Sequence, residues 1–95
     1  MDTEYLLKQF RRIKGEIRAK FGVNKIGFFN CYMDTHHNHE CELNVLVELE
    51  KPLGWKFFEL KEFIEDELQI RIDICTERSL KPALRDEILS EIRYV

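Results

Sequence analysis

Residues 42–75 read ELNVLVELEKPLGWKFFELKEFIEDELQIRIDIC, and this stretch decides the fold. Leu43, Val45, Val47 and Leu49 alternate with Glu42, Asn44, Leu46 and Glu48, the period-two pattern of a strand. Lys51-Pro52-Leu53-Gly54 ends that run, because proline and glycine continue neither strand nor helix well. From about Trp55 to Gln69 the apolar period changes, with Phe57, Leu60, Ile64 and Leu68 on one helical face. Ile70, Ile72 and Ile74 then alternate with Arg71, Asp73 and Cys75 in a third run that reads as a strand. A strand–helix–strand unit of this length closes as a right-handed crossover, so its two strands are expected to be parallel.

The flanks add the remaining elements. Upstream, Leu6, Phe10, Ile13 and Ile17 form an amphipathic stripe, with Asp2 or Thr3 as cap and Gly22 as the stop after Phe21. Lys25 to Cys31 is a short aromatic strand, and residues 33–41 break the pattern as a loop. That loop permits an antiparallel return between the first two strands. Downstream, Ser79 can cap a last helix, Pro82 suits its first turn, and Leu84, Ile88 and Ile92 form its stripe. The expected order is αββαβα. It describes one α+β domain over residues 1–95, a mixed three-stranded sheet with strands two and three parallel and strand one antiparallel, packed with helices.

Composition supports this and excludes other classes. Of the 95 residues, 44% are hydrophobic, which suffices for a small core and argues against a disordered chain. No apolar run is long enough for a membrane span or a signal peptide, so a soluble, cytoplasmic protein is expected. Net charge is −3, unevenly spread: residues 1–25 carry +4 and residues 40–67 carry −6. The basic first helix reads as a solvated face. No face gathers both bases and aromatics, so nucleic acid is not expected as the main target. Cys31, Cys41 and Cys75 are odd in number and lack C-x-x-C spacing, so they form no disulfide framework.

In this topology the end of strand one meets the starts of strands two and three. That convergence places Asn30 and Cys31 beside Glu42, Asn44 and Asp73. Oxygen ligands at adjacent strand starts beside a turn are a way to hold Mg²⁺ against a triphosphate. Glu40 and Glu42, also two apart, form a shifted alternative pair. A separate constellation, His36-His37-Asn38-His39-Glu40-Cys41, offers His37, His39 and Cys41 as zinc ligands if the loop folds back.

At these residues the chain resembles the minimal nucleotidyltransferases of the DNA polymerase β-like superfamily. The resemblance covers residues 21–95. It is strongest in Leu46-Val47-Glu48, Ile72-Asp73-Ile74-Cys75-Thr76, Leu80-Lys81-Pro82-x-Leu84-Arg85 and Ile92-Arg93-Tyr94-Val95. The family carries Gly-Ser after strand one, S-D-x-D opening strand two, and a third Asp in strand three. Here Asn30 and Cys31 stand for the Gly-Ser, and Cys41-Glu42-Leu43-Asn44 for the S-D-x-D, while Asp73 keeps the third carboxylate. Met33-Asp34-Thr35 stands where the family continues A-R-G.

The resemblance implies that Asn30 and Cys31 mark the nucleotide-binding turn. It also implies that Glu42, Asn44 and Asp73 hold the catalytic positions, with Glu42 and Asp73 left to bind Mg²⁺ weakly. Each departure weakens one role. Cys31 donates a poorer hydrogen bond than a hydroxyl, Glu42 reaches one methylene further, and Asn44 deletes a charge where two metals would be bridged. The expectation is a catalytically degenerate nucleotidyltransferase fold acting by binding, antitoxin-like, on a small helical HEPN-class partner. The rival is an active enzyme that uses Mg²⁺ and ATP to adenylylate a protein hydroxyl. An oligomer or heterocomplex is expected in either case.

Overall fold

The computed structural model describes residues 3–29 and 43–95. Helix α1 spans Thr3–Phe21 and buries Leu6, Phe10, Ile13, Ile17 and Phe21, each one turn from the next. Gly22 ends it with φ +66°, donating its N–H to the Arg18 carbonyl at 3.0 Å. Only a residue without Cβ takes that conformation cheaply, and it turns the chain straight into strand β1, Val23–Phe29. The Gly22 carbonyl then accepts from the Glu50 N–H at 2.9 Å, pinning the start of β1 to the end of strand β2, Leu43–Leu49.

Helix α2, Lys56–Leu68, buries Leu60, Ile64 and Leu68. It ends at Gln69 in the left-handed region, φ 57°, with the Gln69 N–H on the Glu65 carbonyl at 2.8 Å. Strand β3, Ile72–Cys75, begins two residues later than the alternation suggests. Its edge is partly covered, because the Ile72 N–H donates to a Glu65 carboxylate oxygen at 3.0 Å. A short 3₁₀ turn, Glu77–Ser79, leads to helix α3, Pro82–Glu91, and strand β4, Arg93–Tyr94.

The sheet order is β3-β2-β1-β4, with β2 and β3 parallel and the other pairs antiparallel. The α+β class and the relations among the first three strands match the expectation, and a fourth strand is added. Ile92 falls four residues after Ile88 and extends the helical stripe on paper. In the fold it leaves the helix, at φ −64°, ψ 140°, and feeds Arg93 and Tyr94 onto β1. A two-residue strand has no alternation to read.

Ser79 also differs from expectation. Its hydroxyl donates to the Thr76 carbonyl at 2.8 Å and accepts from the Thr76 N–H at 3.2 Å, so it closes the 3₁₀ turn instead of capping α3. Lys81 takes the cap position without a side-chain cap bond, held extended (ψ 132°) as the residue before Pro82.

Two cores flank the sheet. On one face α1 and α2 pack over Ile26, Phe28, Leu43, Val45, Val47 and Ile72, with Phe10 stacked on Phe28 at 5.2 Å between ring centroids. On the other face Phe29, Leu46 and Ile88 are buried together, with Leu84 and Ile92 packed against them. Strand β2 is therefore buried on both faces from Leu43 to Val47. Among the described residues, no helix is long and apolar enough to cross a membrane.

Candidate active site

Three side chains line up across the sheet at one end. Phe29 on β1 pairs in register with Asn44 on β2, and Asn44 pairs with Asp73 on β3. Register partners in neighbouring strands project to the same face, and here that face is the one carrying α3. Asn44 is 7% exposed, the one polar residue buried among the described residues. This is the juncture the topology anticipates, where β1 ends and where β2 and β3 begin.

A cleft of about 340 Å³ opens at this juncture. Its floor is Phe29, Asn44, Asp73 and Cys75, and its far wall is Leu80, Lys81 and Leu84 from the approach to α3 and its first turn. The local sequence explains the wall. The Thr76–Ser79 turn is closed by its own hydrogen bonds, Arg85 of α3 pairs with Glu77, and Pro82 fixes the chain at the helix start. Lys81 is thus set at the cleft by a braced segment.

The cleft's described charges are one carboxylate, Asp73, and one ammonium, Lys81. Cys75 lies two residues beyond Asp73 on the same face. Burial, reinforced by the Asp73 charge, pushes its thiol from 9.0 up to about 11, so it stays protonated and inert at neutral pH.

Of the residues singled out in the sequence, the structure brings Asn44 and Asp73 together. Asn30, Cys31, Glu40, Glu42 and the possible zinc ligands His37, His39 and Cys41 lie outside the described residues. Among the described residues, no three of His, Cys, Asp and Glu converge on a metal-sized site. Lys81 carries no role in the sequence reading, although it sits inside the quoted Leu-Lys-Pro-x-Leu-Arg run. Its signal was the proline after it, which holds the residue extended beside β3 rather than inside a helix.

A four-stranded mixed sheet with a cleft at its strand starts is the arrangement expected of a nucleotidyltransferase-fold domain. Similarity to known proteins specifies it further. The chain is 36% identical over 83 residues to the protein adenylyltransferase MntA of Thermococcus cleftensis, a match covering 86% of this chain and 84% of that protein. It is 30% identical to a candidate protein adenylyltransferase of Methanocaldococcus jannaschii, covering 90% and 89% of the two chains. The chain belongs to this MntA-like family of minimal nucleotidyltransferases. No protein-family model matches the sequence.

Solved structures agree on the fold. A candidate minimal nucleotidyltransferase superposes with TM-score 0.70 at 28% identity, over 98% of this chain and 95% of that one. One chain of a mutant toxin–antitoxin MntA–HpeT structure superposes with TM-score 0.59 at 16% identity, over 99% of this chain and 72% of that one. A toxin–antitoxin structure with AMP-PNP gives TM-score 0.58 at 15% identity, over 99% and 72%.

Proposed function

We propose that this chain is an antitoxin-like binding partner that takes an adenine nucleotide in the Asn44–Asp73 cleft, with its transfer chemistry weak or lost. The observation that carries this reading is the register pair itself: an amide stands beside Asp73 where the family resemblance calls for a second strand-two carboxylate. By the family resemblance, Asp73 and Glu42 are then the remaining aligned carboxylates, and Asn30 and Cys31 take the sequence positions of the family's phosphate-binding Gly-Ser. A bound Mg²⁺ would neutralise charge on the phosphates. Two bridged Mg²⁺ ions do not fit this donor set, because the shared position offers a neutral amide oxygen.

The partner is a small helical protein of the HEPN class. The HEPN class is what the family resemblance implies; a structural neighbour solved as a toxin–antitoxin structure supports a heterocomplex, and another with AMP-PNP supports an adenine nucleotide. A second reading, Mg²⁺-dependent adenylyl transfer from ATP to a protein hydroxyl, is favoured by the relatives' adenylyltransferase names. It needs Glu42 and Asp73 to hold the metal unaided.

Co-expression with a small helical protein of the HEPN class separates the two. Under the binding reading the pair co-purifies and labelled ATP leaves no AMP on the partner. Robust transfer that disappears in Asp73→Asn establishes the enzyme instead. Failure to co-purify removes the partner.

A further inference from the structure

We propose that α1 and α2 form a self-association face, on which the acidic, aromatic-tipped side of α2 seats the basic side of α1 from a second copy of this chain. The face lies across the sheet from the Asn44–Asp73 cleft, so the inference stands apart from the nucleotide reading.

Helix α2 turns Leu60, Ile64 and Leu68 into the core, and at about 100° per residue its outward side carries Trp55, Phe58, Glu59, Glu62 and Asp66. Trp55 and Phe58 are 87% and 60% exposed, with ring centroids 6.2 Å apart. Lys56 and Lys61 fall on the flanks of the helix, so no base interleaves the three carboxylates. Glu59 and Glu62 form no ion pair among the described residues. Glu62 and Asp66 are like charges at i, i+4, a spacing that destabilises a helix with no opposite charge beside it.

Helix α1 has the complementary side. With Phe10, Ile13 and Ile17 turned inward, Lys8, Arg11 and Arg18 are exposed on its outward side around Gly15 and Ala19. Glu4 is the acid on that side among the described residues, at its start. A Cβ on Gly15 would meet nothing within 4 Å, so the middle of the basic side is low and open to a neighbouring helix. Lys8 and Arg11 form no ion pair among the described residues. Within one chain Arg12 already reaches Glu67 of α2 at 3.4 Å, a pair of the same kind.

A second copy fits because the two sides lie next to each other. Arg12 meets Glu67 and Phe21 meets Phe63, so α1 and α2 run antiparallel, side by side on the sheet. A two-fold axis directed along the helices, above the seam between them, lays α1 of each copy over α2 of the other. The acid–base contact is then made twice and the assembly closes as a dimer. Trp55 and Phe58 supply aromatic area of the kind that anchors interfaces.

The test is analytical ultracentrifugation of the intact chain, with the fluorescence of Trp55, the single tryptophan, as a second readout. Wild type is expected to be a dimer at about 100 μM in low salt, with affinity lowered about tenfold by about 0.5 M NaCl. Its emission should move to shorter wavelength as concentration rises and Trp55 leaves water. Glu59→Lys with Glu62→Lys, and separately Lys8→Glu with Arg11→Glu, should each weaken the dimer by about tenfold or more. Mixed in equal amounts, the two charge-reversed proteins should pair with each other, because each meets opposite charge at both contacts. Trp55→Ala with Phe58→Ala should weaken wild-type pairing by about tenfold or more. All six side chains are exposed, so at concentrations where the chain is monomeric the variants should keep the wild-type melting temperature.

A wild-type chain that stays monomeric at that concentration overturns the proposal. A dimer indifferent to both reversals, or one that forms with unchanged Trp55 emission, overturns this face as its interface. Failure of the two reversed proteins to pair overturns the exchange of α1 and α2 between copies.

Discussion

Asn44 stands in register with Asp73 across the parallel β2–β3 pair, so an amide and a carboxylate share one face of the sheet at the edge of the cleft. Neighbouring strands lie about 4.8 Å apart, close enough for a second carboxylate at position 44 to raise the cost of ionising both. Asn44→Asp should therefore lower stability by about 1–3 kcal/mol in EDTA, and millimolar Mg²⁺ should recover most of it. Urea denaturation in the two buffers reads this directly. Equal midpoints for the variant and wild type in EDTA would show that the two side chains do not share the site.

The core assignment of β3 makes a quantitative claim. Ile72 is 2% exposed between the sheet and the α1–α2 layer, whereas Ile74 is only half-buried. Ile72→Ala should cost roughly 2–4 kcal/mol through lost transfer energy and a residual cavity, and Ile74→Ala roughly half as much. Chemical denaturation ranks the pair, and equal costs would contradict the burial difference.

Gly27 tests the fourth strand. A Cβ at this position would meet the Arg93 carbonyl oxygen and the Ile92 side chain at 3.0 Å. Those atoms belong to the segment that forms β4, which is held on β1 opposite Gly27 and Phe28 and by the Val95 N–H on the Ile26 carbonyl at 2.9 Å. Gly27→Ala should push the segment away from β1, at a cost of about 1–3 kcal/mol. Hydrogen exchange is the sharper readout: the Val95 amide should lose protection while the Val45 and Val47 amides in β2 keep theirs.

Cys75 gives a pH prediction. Its folded thiol titrates near 11 instead of 9.0, because burial and then the Asp73 charge disfavour the thiolate. The native state thus keeps its proton over a range where the unfolded chain has lost it. The stability this contributes is fully present below pH 9 and is lost as pH rises through 11. With Cys31 and Cys41 replaced by Ser, alkylation of Cys75 at pH 8 should be about a hundredfold slower than for an exposed thiol. Cys75→Ser should flatten the fall in stability between pH 9 and 11, and rapid native-state alkylation would refute the raised thiol pKa.

Local periodicity by itself settled most of the architecture. The Leu6–Phe10–Ile13–Ile17 stripe, the alternation from Leu43 to Leu49 and the change of period after Gly54 are properties of consecutive residues. The handedness of crossovers then makes β2 and β3 parallel without reference to any other contact. The meeting of Asn44 with Asp73 followed from the same reasoning, because parity along each strand fixes which face a side chain takes.

What local pattern left open depends on partners distant in the chain. Ile92 fits a helical stripe and a strand entrance equally well, and its conformation is decided by the edge of β1 that Arg93 and Tyr94 complete. Leu46 and Asn44 look like the wetter side of β2 until α3 and Phe29 cover them. Lys81 has no periodic signature at all. It reaches the cleft because the Thr76–Ser79 turn and Pro82 fold back over β3, and where a turn lands is settled by packing between elements, not by spacing within one.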